Sequence, residues 1–201
     1  MPISLDWNES YRPVITPTRL YQGAMGRTIA TLYNVFYAMG KNPIYLQASG
    51  AGYATVRTAS FRLVRECFKG KDLVRGVLLD DDIWLDNGPE VLEIIKKADE
   101  NHWNVVIPYM LADKSMSILE PPNEVHDQVK RLSVEEVANL DEYQEIWAAG
   151  LGFYYGDIPL TYEFHEGNPY MGEDLNFFND NPQLHVRVAP ARAMHAKTFL
   201  V

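Results

Sequence analysis

Short apolar runs alternate with longer stretches of helical periodicity over the first half of the chain. Pro13-Val14-Ile15-Thr16-Pro17 is brief, β-branched and bounded by prolines, which predicts a buried strand ending at Pro17. Ile29, Leu32, Tyr33 and Phe36 then recur at helical spacing, with Gly40 and Asn42-Pro43 as the stop. A second strand is predicted at Ile44-Tyr45-Leu46-Gln47, closed by the turn residues Ser49-Gly50-Ala51-Gly52. Val56, Ala59, Leu63, Val64, Cys67 and Phe68 mark a second helix, and Val77-Leu78-Leu79 a third strand. Pro89 suits the first turn of a helix over Val91–Ala98, and Val105-Val106-Ile107-Pro108 reads as a fourth strand. Residues 13 to 108 therefore read β-α-β-α-β-α-β. This is the pattern of an α/β protein with a mixed, mostly parallel sheet covered by helices on both faces.

The pattern changes after 108. Residues 113–145 are polar and acidic, broken at Pro121-Pro122, with a capping box at Ser133-Val134-Glu135-Glu136; they read as an excursion or lid. Gly150–Gly156 is glycine-aromatic, Gly172-Glu173-Asp174 opens a helix, and Leu184–Val188 is strand-like. No repeat divides the chain, and 201 residues suit a single domain.

Charge narrows the candidate partners. With 18 Lys+Arg against 27 Asp+Glu, the net charge of −9 disfavours nucleic-acid binding through phosphate attraction. One cysteine, Cys67, allows no internal disulfide. No apolar run approaches the roughly 20 residues of a membrane span, and Met1–Glu9 lacks the basic and apolar parts of a signal peptide. A soluble, cytoplasmic protein is expected.

The strongest chemical signal is Asp80-Asp81-Asp82, between Val77-Leu78-Leu79 and Ile83-Trp84-Leu85. Three carboxylates inside an apolar run are costly unless something neutralises them. On extended backbone Asp80 and Asp82 point to one side and Asp81 to the other, a hard-oxygen arrangement suited to Mg²⁺ or Mn²⁺. An exposed turn or a helix cap would use the same residues. Glu173 and Asp174 also suit a first helical turn, and His195 alone is as compatible with packing as with ligation. Arg57, Arg62 and Arg65 precede the Asp run on the second helix, and one of them has the reach to meet a diphosphate. Thr16, Thr18 and Arg19 follow the first strand. There is no Walker-type loop, no G-x-G-x-x-G after a strand, no Cys-x-x-Cys and no Ser or Cys nucleophile signature.

Taken in order, Pro13–Arg19, Leu79-Asp80-Asp81-Asp82-Ile83, Gly152–Tyr155, Gly172-Glu173-Asp174 and His195 resemble the family-2-like glycosyltransferases of GT-A fold. The resemblance spans roughly Val14 to His195, and the size is similar to that of small stand-alone glycosyltransferases of archaeal viruses. It implies a Rossmann-like half over 13–108 that binds a nucleotide sugar and an acceptor-side half over 109–201. Asp80–Asp82 matches the family's DxD motif, with Asp82 the direct ligand of Mn²⁺ or Mg²⁺ and Asp80 touching ribose or donor sugar. His195 completes the metal shell, and Asp174 is the general base. Thr16, Thr18, Arg19, Arg57 and Asp81 fall on the donor side. The implied reaction is an inverting transfer from a UDP- or GDP-sugar to a hydroxyl on a glycan or glycoprotein. Two features depart from the family. The second strand ends in Leu46-Gln47-Ala48-Ser49-Gly50 without the acid that contacts the base, and the Gln-x-x-Arg-Trp run of processive synthases is absent. Three clustered aspartates also fit a metal-dependent nucleotidyltransferase or a phosphohydrolase, or a non-catalytic binding or structural protein.

Overall fold

The computed structural model describes residues 5, 8–18, 22–50, 52–122, 129–165 and 172–195. In chain order these form β1 (Tyr11–Thr18), α1 (Gln22–Ala38), β2 (Asn42–Ser49), α2 (Tyr53–Cys67), β3 (Leu73–Leu79) and β4 (Ile83–Trp84). There follow α3 (Gly88–Glu100), β5 (Asn104–Val106), β6 (Ile118–Glu120), β7 (Lys130–Arg131) and α4 (Val134–Ala138). The last elements are β8 (Ala148–Ala149), β9 (Phe153–Pro159), α5 (Glu173–Asp180), β10 (Val186–Val188) and β11 (Met194–His195).

A six-stranded sheet in the order β10-β5-β9-β3-β1-β2 forms the centre. β2, β1 and β3 run parallel, as do β5 and β10, whereas β9 is antiparallel to both of its neighbours, β3 and β5. Alternate strand residues face opposite sides. Ile15, Leu78 and Tyr154 pack with Phe61 and Val64 of α2, with Phe68 just beyond it and with Phe177 of α5. Val14, Val77 and Tyr155 pack with Leu32 and Phe36 of α1 and with Ile94 and Ile95 of α3. Helices thus cover both faces, and the fold is the mixed α/β arrangement expected from the alternation.

Three details differ from expectation. Pro17 does not end β1, which runs to Thr18. β3 pairs with β1 only at Val14 and Ile15, so Pro13 and Pro17 lie outside the stretch bonded on both sides. Pro43 lies inside β2 rather than in a helix stop, which is tolerated because β2 is an edge strand. The described parts of 113–145 are not an excursion. β6 pairs with β7 and β8, while Ile118, Leu119, Leu132 and Val137 enter the core beneath α5. Their polarity comes from the outward positions of short, half-covered elements. The Ser133–Glu136 capping box forms and starts α4.

At the opposite end of the sheet from the Asp run, Arg12 and Arg75 converge on Asp99. Arg12 Nη2 lies 3.0 Å from Asp99 Oδ2, and Arg75 Nε donates to Oδ1 at 2.8 Å. The Tyr155 hydroxyl donates to the same Oδ1 at 2.5 Å. This network ties β1, β3, α3 and β9 together.

Candidate functional site

β3 ends at Leu79, and Asp80 and Asp82 face a cavity of about 460 Å³ at its carboxyl end. Asp80-Asp81-Asp82 is not extended as expected. It is a turn, closed by the Ile83 N–H donating to the Asp80 carbonyl at 3.3 Å, which lets the chain reverse into β4. The turn still divides the carboxylates. Asp81 is fully buried near Tyr45, whose hydroxyl interacts with Thr16 at the end of β1.

Arg57 organises the cavity floor. It is 3% exposed, and its Nη2 lies 2.8 Å from Asp80 Oδ1 and 3.0 Å from Asp174 Oδ1, with Nε 3.8 Å from Glu173 Oε1. Helix α2 delivers this cation because its apolar face is packed on β1 and β2, so Arg57, on that face, points inward. Helix α5 delivers Glu173 and Asp174 in its first turn, where the helix dipole favours carboxylates. The Leu151 backbone N–H also favours the charged form of Asp174.

Burial pushes the Asp80 carboxyl up to about 6; the Arg57 charge opposes this, and Asp174, Asp82 and Asp81 reinforce it. Burial likewise raises Asp174, against the pull of Arg57 and with the repulsion of Glu173. A carboxylate with an elevated pKa beside open space suits proton abstraction.

β11 closes the other wall. β11 pairs antiparallel with β4, His195 opposite Ile83, and this sets His195 Nε2 3.2 Å from Asp82 Oδ2. His195 Nδ1 is buried with no hydrogen-bond partner among the described residues. No three His, Cys, Asp or Glu side chains converge as a metal cage among those residues. A nucleotide-bound Mg²⁺ or Mn²⁺ does not need one, because one or two protein ligands suffice when phosphates and water fill the shell. Asp82 and His195, one carboxylate and one imidazole with an unused buried nitrogen, fit that requirement.

The expected residues thus divide into two groups. Asp80, Asp82, Asp174, His195 and Arg57 come together, with Arg57 engaged by carboxylates. Thr16, Thr18 and Asp81 are buried toward β1 and line no part of this cavity. Arg19 lies outside the described residues. Sequence reasoning missed Tyr109, which lies against His195 and lines the cavity, and it left Glu173 without a role. The Gly150-Leu151-Gly152 spacing was the available signal, since paired glycines in a turn mark a close approach of another group to the backbone. A second cleft of about 450 Å³ near Arg192 differs in kind, because its carboxylates Glu90, Asp141 and Glu142 are all exposed.

No helix among the described residues is long and apolar enough to cross a membrane. No family model matches the chain, and no curated protein matches it. Among solved structures, it is similar to the UDP-glucose pyrophosphorylase from Acinetobacter baumanii, with a TM-score of 0.48 and 9% identity over 91% of this chain and 67% of that one.

Proposed function

We propose that the protein is a metal-dependent, inverting glycosyltransferase that moves a sugar from a nucleoside-diphosphate sugar, UDP- or GDP-linked, to a hydroxyl of a glycan or glycoprotein acceptor. The observation that carries this is the placement of Asp174. Its carboxylate has a raised pKa and shares one cavity with the Asp82–His195 pair. A divalent cation, Mn²⁺ or Mg²⁺, held by Asp82 and His195 would neutralise the charge growing on the leaving diphosphate. Asp174 accepts the proton of the acceptor hydroxyl as its oxygen bonds to the anomeric carbon. The bond from that carbon to the diphosphate oxygen breaks on the opposite side, inverting the centre. Arg57 holds the Asp174 carboxylate in place. Thr16, Thr18, Arg19 and Asp81 belong to the nucleotide side of the same reading.

The nucleotidyltransferase alternative is less well served by this cavity. That reaction brings together two polyanions, a nucleoside triphosphate and a sugar phosphate. Here Asp80, Asp82, Asp113, Glu173 and Asp174 line the space against Arg131 and His195. A neutral acceptor hydroxyl suits such a lining better.

The test is thermal unfolding with UDP, GDP and their sugar conjugates, with and without Mn²⁺. Ligand at about 100 times its dissociation constant adds roughly 2.7 kcal/mol. Metal-dependent stabilisation by one nucleotide, lost in Asp82→Ala and kept in Asp174→Asn while transfer disappears, is the expected result. Loss of nucleotide binding in Asp174→Asn would sink the base assignment, and no nucleotide response at all would sink the transferase.

A further inference from the structure

The glycine-aromatic segment leading into β9 and the tyrosine following β5 are parts of one device. Tyr109 is 6% exposed, and its ring is stacked on the His195 imidazole at 5.3 Å between centroids and 26° between planes. The hydroxyl end and one edge of this ring meet Gly150 and Gly152. A Cβ at Gly150 would run into the Tyr109 hydroxyl, and one at Gly152 would run into the ring edge and stand 2.9 Å from Ile83 Cδ1. Both glycines therefore leave a slot that admits the hydroxyl end and the edge of the ring.

The backbone around the slot is fixed from three directions. Ser117 Oγ accepts from the Tyr109 N–H at 3.0 Å, and the Ser117 N–H donates to the Tyr109 carbonyl at 2.9 Å. The Gly150 N–H donates to the Ser117 carbonyl at 2.7 Å. On the His195 side, the Ala193 N–H donates to the Pro108 carbonyl at 2.9 Å. Tyr109 is thus held at its edge by the glycine backbone and stacked by its face on an imidazole in a two-residue strand.

We propose that Tyr109 is a positioning residue, whose ring, seated in the Gly150–Gly152 slot, sets the imidazole plane of His195 against Asp82 and so determines the affinity of this pair for a divalent cation. The inference rests on the reading of Asp82 and His195 as the cation-holding pair. An imidazole has little to orient it here besides Asp82, because its other nitrogen has no partner among the described residues. Ring stacking supplies the missing constraint, as the partners around a metal ligand commonly do. The hydroxyl is secondary to this task. It sits near Asp80, Asp174 and Asp82, and burial first, then those charges, hold it protonated.

Histidine NMR and metal titration test this together. In the parent protein the His195 ring protons, assigned by their loss in His195→Gln, are shifted upfield by the Tyr109 ring current; an unshifted His195 signal overturns the stacking without needing any Tyr109 variant. Mn²⁺ is then titrated with UDP and with GDP. Tyr109→Leu, and independently Gly152→Ala, are expected to lose the upfield shift and weaken Mn²⁺ about 10- to 100-fold, the usual range for such partners. Tyr109→Phe is expected to keep both. Loss of the shift with unchanged Mn²⁺ affinity overturns the proposal. Failure of Mn²⁺ to broaden His195 in the parent protein instead removes the cation-holding pair, and with it the reading on which the proposal rests.

Discussion

Replacing Asp80 with asparagine should make the protein more stable at neutral pH while disabling the cation-dependent transfer proposed above. Asp80 has an ordinary value near 3.8 and is pushed up to about 6 in the folded protein, first by burial and then by Asp174, Asp82 and Asp81, with Arg57 opposing. A folded-state rise of about two pH units is worth about 3 kcal/mol. That figure already includes the attraction of Arg57 at 2.8 Å, so the ion pair does not recover the full cost of burial. Because the folded value is raised, the native state binds the proton more tightly than the unfolded chain does. Stability from this group is therefore full below about pH 4 and is lost as pH rises through about 6. Asparagine fills the same volume and can still accept from Arg57, but carries no charge. The stability difference should be near zero at pH 4 and grow to about 3 kcal/mol, with the variant more stable, by pH 7.5. For a chain of this size that corresponds to a rise of roughly 6–12 °C in Tm. Urea unfolding in EDTA across pH 4–8 measures it. A variant less stable than the parent at pH 7.5, or a difference that does not change with pH, would refute the balance drawn here between burial and Arg57.

Two further outcomes follow from the packing. Burial would raise the Asp99 pKa, yet Tyr155, Arg75 and Arg12 together hold it below the ordinary value, so its contribution is present above about pH 4 and lost in acid. Asp99→Ala should cost about 3–5 kcal/mol at pH 7, because two guanidiniums lose their shared carboxylate; a loss under about 1 kcal/mol in urea unfolding would show the network to be dispensable. Thr28 is fully buried, donates to the Ile83 carbonyl at 2.7 Å and accepts from the Leu85 N–H at 3.1 Å. Thr28→Val should cost about 1–3 kcal/mol for each group left unpaired and should also weaken Mn²⁺-dependent nucleotide binding, because Ile83 is the strand partner of His195; calorimetric titration that finds binding intact would separate β4 from the site.

Much of this architecture is local in origin and was legible along the chain. The period of Leu32 and Phe36, the capping box at Ser133 and the β-branched runs at Val14 and Val77 specify their elements through neighbours a few residues away. The Asp run betrayed itself by its apolar flanks, since three carboxylates there need a compensating partner whatever the fold. Long-range pairing carries no such signature. Phe153–Pro159 gave no sign of being the antiparallel strand between β3 and β5, because its partners lie about 50 to 80 residues away and both faces are buried, which erases alternation. Arg57 was expected on the donor side until packing turned it inward between Asp80 and Asp174. His195, unremarkable alone and a metal ligand only by resemblance, meets Asp82 because β11 pairs with β4. The sequence by itself therefore determined the strand–helix alternation of residues 13–108 and the carboxylates that demand a counter-charge. Only the tertiary structure decided which arginine and which imidazole meet them, since burial and mutual distance are properties of the assembled sheet and not of any segment.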